Sequence, residues 1–204
     1  MTTARSTMIV AALALFLGVL CTAGVSHAEA PKPAVAPTGA PPPGPPKPPA
    51  ELDGIKWLEG NWHCDGKAPA GPMGPEHAYK STMKIKRDLD GFWYIGEYEQ
   101  RKSKDNPMAI KARTFMGFDP VAKKVITFGV DSVGGALQLT GAIDSNAGTP
   151  SGDKIASEGE GSMGGQKIGF KESFTKTGDR ALTWHGEVRV GKDWVVVGED
   201  TCKR

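Results

Sequence analysis

Only three cysteines and four histidines occur in 204 residues, and none falls in a Cys-x-x-Cys or His-x-His arrangement. A structural zinc site of the usual ligand spacing is therefore excluded. Charge of one sign is also missing, since 25 basic residues face 23 acidic ones. That balance gives no reason to expect nucleic acid or an anionic membrane surface as a partner. No apolar run of about 20 residues follows the first 25 positions, so no integral anchor is expected beyond them. Helical periodicity is scarce as well, and the region Pro49 to Glu59 is the single short exception.

What is present begins with Arg5 and an apolar run from Met8 to Val25, ending in Ser26-His27-Ala28-Glu29-Ala30. This pattern is that of a secretory signal peptide over residues 1–28, with small residues placed for cleavage after Ala28. Cys21 is expected to leave with it, because the bulky Leu20 does not suit lipoprotein processing. An exported chain, periplasmic or extracellular, follows. Residues 31–50, PKPAVAPTGAPPPGPPKPPA, hold ten of the sixteen prolines. Proline removes backbone donors and fixes φ, so residues 29–50 are expected to form a disordered linker of polyproline II character rather than a core. Such a tether would let the next domain meet a partner in the cell envelope. Residues 51–204 are the size of one domain.

Period-two alternation dominates this domain. Tyr79, Ser81, Met83 and Ile85 interleave with Lys80, Thr82, Lys84 and Lys86, which reads as a strand with one wet face. Phe92 to Glu99 follows after Asp88-Leu89-Asp90-Gly91, where the Asp-Gly pair signals a hairpin. Further strands are expected at Ile110–Phe118, Lys124–Asp131, Leu137–Ile143, Asp153–Gly159, Gln166–Phe174, Ala181–Val190 and Trp194–Cys202, separated by turn residues. With KWLEGNWHCDG, residues 56–66, as the first strand, the count is nine or ten. Hairpin connections without a long crossover favour an all-β, antiparallel up-and-down barrel over a sandwich.

Leu58-Glu59-Gly60-Asn61-Trp62 carries a Gly-x-Trp motif, and it is followed in order by Leu89-Asp90-Gly91-Phe92, Met116-Gly117-Phe118-Asp119-Pro120 with Lys124, Asp131-Ser132 and Gly141. This order resembles the bacterial domain-of-unknown-function family number 1579, grouped with calycin-like barrels such as lipocalins and nitrobindins. The resemblance covers most of residues 51–204. It implies a barrel closed at one end by Gly60 and Trp62, and a ligand-binding role with no established activity. The C-terminal cysteine and the proline-rich segment depart from the family pattern.

Cys64 and Cys202 form an even pair in an exported chain and are expected to be a disulfide joining the first and last strands. Adjacent residues on a strand point to opposite faces, so His63 and Cys64 do not share a metal or nucleophile site. His185 lies on a polar face with Thr183, Glu187 and Arg189. Solvent exposure is the plain expectation, and axial haem ligation, as by the late-strand histidine of nitrobindins, is the alternative if that face lines the barrel. The residues expected to meet a ligand are Tyr94, Arg113, Phe128, Asp131, Glu172 and His185. The functional expectation is non-catalytic binding of a small apolar or amphipathic molecule, with no resident metal or cofactor. A filled barrel serving as an envelope interaction module is the first rival. A hydrolase or isomerase is the second, and it needs two perturbed carboxylates facing one void.

Overall fold

Alternation of apolar and polar residues is carried into alternation of burial along most strands of the computed structural model, which describes residues 44–71, 74–107, 109–144 and 153–204. The expected signal peptide lies outside the described residues, and of the expected linker only residues 44–50 are described. Among the described residues ten strands occur: β1 Gly60–Ala68, β2 His77–Asp88, β3 Trp93–Gln100, β4 Lys111–Asp119 and β5 Lys124–Asp131, then β6 Ala136–Asp144, β7 Lys154–Met163, β8 Gln166–Gly178, β9 Ala181–Val190 and β10 Asp193–Lys203. Each pairs antiparallel with its sequence neighbours, and β1 pairs with β10 to close the barrel. The fold is the expected up-and-down barrel, and closure removes the exposed edges of an open sheet.

The β2–β3 connection is longer than the Asp-Gly pair suggested. Leu89, Asp90 and Gly91 all take positive φ, at 49°, 55° and 87°. Asp88 stabilises this turn by accepting from the Leu89 amide at 2.7 Å. Three successive left-handed residues thus widen a two-residue hairpin into a short 3-10 turn, Leu89–Gly91.

One end of the barrel is sealed by a 3-10 helix, Ala50–Leu58. Leu52, Ile55 and Leu58 recur every third residue, which matches the three-residue turn of that helix and puts all three on one face. Each is fully buried. Beneath them lie Trp62, Ile85, Tyr94, Met116, Val125, Ile155 and Leu182, one apolar floor drawn from seven strands. Polar ends of the aromatic rings are satisfied by the helix: Trp62 Nε1 donates to Leu58 O at 2.9 Å, and the Tyr94 hydroxyl to Leu52 O at 3.0 Å. The Arg204 guanidinium stacks 4.8 Å from the Trp62 ring and donates to Glu59 O. Gly60 is required here twice over. Its φ of +140° disfavours any side chain, and a Cβ would lie 3.1 Å from Arg204 Nη1.

Cys64 and Cys202 are bonded across the β1–β10 seam as directly paired residues, 138 positions apart in sequence. In the chain-entropy account, a closed loop of that length stabilises the fold by about 5 kcal/mol as an upper figure. The double replacement Cys64→Ala/Cys202→Ala is expected to lower the unfolding free energy by about 2–5 kcal/mol in equilibrium urea denaturation. An unchanged midpoint and slope would show that the strand ladder alone holds the seam.

Candidate functional site

Above the apolar floor the character of the inner wall changes. Asp200 projects inward from β10, because it sits two residues before Cys202 on the same face, and it is 4% exposed. Its Oδ2 accepts from the Tyr98 hydroxyl at 3.3 Å. Tyr98 in turn accepts from Gln100 Nε2 at 3.2 Å, and Gln100 Oε1 accepts from Asn106 Nδ2 and the Ile110 amide, each at 3.2 Å. A polar relay thus runs from the β3–β4 connection to the carboxylate. The other oxygen, Oδ1, has no hydrogen-bond partner.

Glu172 on β8 is the second interior acid. It accepts from Trp184 Nε1 at 3.2 Å, and Trp184 pairs across the sheet with Asp200. Trp184, on β9, thus stands between the two acid-bearing strands β8 and β10. Burial pushes the Asp200 carboxyl up, and the neighbouring Tyr79 and Tyr98 hydroxyls offset only part of the shift. Burial also pushes Glu172 up against the hydrogen bond from Trp184. Tyr98 is pushed up to about 12 by burial, and the neighbouring Asp200 adds to it. No basic side chain contributes to the shift of either acid. Three further inward hydroxyls, of Ser81, Thr127 and Ser157, are buried without a hydrogen-bond partner. Buried polar atoms left this way are costly unless water or a ligand meets them.

Glycines make room on this wall for the side chains of other inward residues. A Cβ on Gly66 would fall 2.1 Å from the Tyr79 ring and 2.2 Å from Asp200 Oδ1. On Gly186 it would fall 2.5 Å from the Trp184 ring, and on Gly96 2.3 Å from Thr114 Oγ1. These side chains occupy space vacated by glycine. Ten strands also enclose a wider interior than the eight that side chains just fill. Consistent with a lumen, the inward-facing Tyr98, Thr114, Glu172, Phe174 and Trp184 all retain accessible surface. A cleft lined by Asp65, Gly66, Ala78, Tyr79, Lys80 and Arg101 runs along the β1–β2 pair, with Asp65, Ala78 and Lys80 exposed on the outer wall.

The six residues expected to meet a ligand are not brought together. Glu172 is on the inner wall. Tyr94 faces inward too, but it is 1% exposed and built into the floor under the helix. Arg113 stands on the outer wall beside Glu97, 3.9 Å away. Phe128 is also outside, 39% exposed, with its ring 6.2 Å from that of Trp93. Asp131 holds the β5–β6 turn, its Oδ1 accepting from the Val133 and Gly135 amides at 2.9 and 2.7 Å. His185 lies on the outer wall, with Nδ1 3.0 Å from Glu199 Oε1 and Nε2 3.6 Å from Glu187. The haem alternative needed that imidazole inside the barrel, and strand alternation turns it out.

Residues the sequence reading passed over are the centre of the site: Asp200, Tyr98, Tyr79, Trp184, Ser81 and Gln100. A signal for Asp200 existed. Once Cys202 is placed in the closure seam, the residue two positions earlier must face the same interior.

A carboxyl whose pKa is raised by folding holds more protons in the native state than in the unfolded one. Stability therefore falls as pH climbs from the ordinary carboxylate range through the raised value. Glu172→Gln and Asp200→Asn keep an acceptor for Trp184 and Tyr98 while removing the ionisation. Each variant is expected to melt above the parent protein at pH 8, with the gap closing as pH falls towards about 4. Scanning fluorimetry across that range checks it; parallel melting curves at every pH would mean that neither acid is penalised by burial.

The family model described as "Protein of unknown function (DUF1579)" matches residues 47–193. Among solved structures, the crystal structure of Rv2717c from M. tuberculosis is similar with a TM-score of 0.60 at 15% identity, covering 78% of this chain and 99% of that one. That likeness concerns the fold alone. No curated protein matches the sequence. Since the matched residues run from the sealing helix through nine complete strands to the start of the tenth, the chain belongs to the DUF1579 family of proteins of unknown function.

Proposed function

We propose that the protein is an exported barrel that binds a small amphipathic molecule in its lumen without transforming it. One observation carries the reading: the inner wall above the floor holds buried polar atoms with no partner, Asp200 Oδ1 together with the hydroxyls of Ser81, Thr127 and Ser157. In a filled structural barrel such atoms would be replaced by apolar packing, as they are around Trp62 and Leu52. On the same wall the inward-facing Tyr98, Phe174 and Trp184 keep accessible surface and offer aromatic contact to an apolar body. The Cys64–Cys202 bond supports export, because disulfides persist in oxidising compartments. The proline-rich segment fits a tether that sets this binding unit away from an envelope partner.

N-Phenyl-1-naphthylamine, a neutral apolar fluorophore that brightens out of water, tests the lumen directly. Saturable enhancement with the intact protein is expected. Ala112→Trp, which places an indole on the inner wall next to Tyr98 in the sheet, is expected to reduce it by at least about tenfold in affinity. Absence of enhancement, or enhancement untouched by Ala112→Trp and abolished only by changes on the outer wall, would overturn the reading.

A further inference from the structure

One face of the outer wall is apolar where its surroundings are not. On β3, β4 and β5 the outward positions form two rows that cross the sheet: Ile95, Phe115 and Phe128 in one, Trp93, Gly117 and Ile126 in the next. The same rows continue onto β2 as Lys86 and Asp88, and onto β6 as Gln138 and Thr140, so the apolar block is bounded on both sides. Phe115 and Phe128 are 38% and 39% exposed. Trp93 reaches over β4, where a Cβ on Gly117 would fall 2.8 Å from its ring. Contiguous apolar surface of this kind on an exported, charged barrel marks a contact with another molecule.

Further along the same strands the rows become charged, and the charge is sorted by strand. Glu97 and Glu99 stand on β3, directly paired with Arg113 and Lys111 on β4. Within one chain these ion pairs, at 3.9 and 2.8 Å, are largely exposed and contribute little.

We infer that this face is covered by a second copy of the chain, related by a two-fold axis that runs between β3 and β4 along the strands. Rotation about that axis lays β3 of each copy on β4 of the other. Glu97 then meets Arg113 of the partner subunit, Glu99 meets Lys111 of the partner subunit, and Ile95 meets Phe115 of the partner subunit. An isologous contact brings one surface against itself, so it is complementary only where the rotation exchanges opposite charges. The β3–β4 register does this at two successive levels. Burial of the apolar block supplies the attraction, through the aromatic and arginine side chains that such contacts favour. The exchanged charges set the alignment. An anionic lipid surface would instead meet Glu97 and Glu99, which repel it.

Sedimentation velocity of the intact protein from about 1 to 100 µM is expected to show a monomer giving way to a dimer, with a dissociation constant in the micromolar range. Phe128→Asp is expected to weaken the dimer by at least about tenfold. Glu97→Arg and Arg113→Glu each place like charges opposite one another, and each is expected to weaken it by about as much. Mixed in equal amounts, these two single variants present two bases against two acids, and association is expected to return to within about threefold of the parent. Lys167→Glu, on β8 across the barrel, is expected to leave the dimer unchanged. A monomer at every concentration leaves the face to a partner of another kind and overturns the inference. A dimer that Phe128→Asp does not weaken places the contact elsewhere and overturns it too, as does a mixture that associates no better than its two components.

Discussion

The register of β1 against β10 is the constraint on which the interior depends. At this seam Cys64 stands opposite Cys202, and two residues further along each strand Gly66 stands opposite Asp200. Side chains alternate with a period of two, so a slip of one residue would turn Asp200 to solvent and bring Glu199 inside. The disulfide fixes this register covalently and thereby fixes the polarity of the lumen. The same pairing explains Gly66: a strand that must pass beside an inward carboxylate and the Tyr79 ring has no room for a side chain. Closure and the candidate site are thus consequences of one alignment.

Seen from that seam, the barrel divides its tasks along its axis. The floor follows the rules of an ordinary core, with Leu52, Ile55, Leu58, Trp62 and Val125 almost wholly removed from water. Its polar atoms are met by backbone carbonyls, and Arg204 covers Trp62 from outside. The lumen breaks those rules. The hydroxyls of Ser81, Thr127 and Ser157 go unmet, its acids lack bases, and several of its inward positions are glycine. Burial of apolar area on the floor and the cross-link at the seam together supply the stability against which these departures are tolerated.

Much of this was legible in the sequence, for reasons that also explain what was not. Strand alternation is local, so the nine or ten strands could be read from residues a few positions apart, whereas the sealing role of Gly60 and Trp62 followed from the family resemblance. The cysteine pair was readable because compartment and strand order agreed on it. Which face of a strand is the inner one is a different kind of question. At Arg113 and Phe128 the outward faces are mixed or apolar, and composition gives no sign of direction, so only the register to neighbouring strands decides; the polar face that carries His185 with Thr183, Glu187 and Arg189 is turned out as its composition suggests. Phe128 shows this most clearly, as an aromatic residue that packs on Trp93 outside the barrel. Tyr94 and Tyr98 share a face and a residue type, yet the helix covers one and leaves the other beside Asp200.

Asp200 and Glu172 oppose the stability of the fold rather than supporting it. A carboxyl forced towards its neutral form weakens the native state at every pH above the ordinary carboxylate range. Replacing a buried acid by an apolar residue of similar size commonly leaves a protein as stable or more so. A barrel under selection for rigidity alone would therefore have filled this level with leucine and phenylalanine, as it did one level below. Instead the chain keeps Tyr98, Gln100 and Asn106 aligned on one acid and Trp184 on the other, and it keeps glycines where larger residues would close the space. Residues arranged at a cost to stability, and consistently across five strands, are best explained by what they hold.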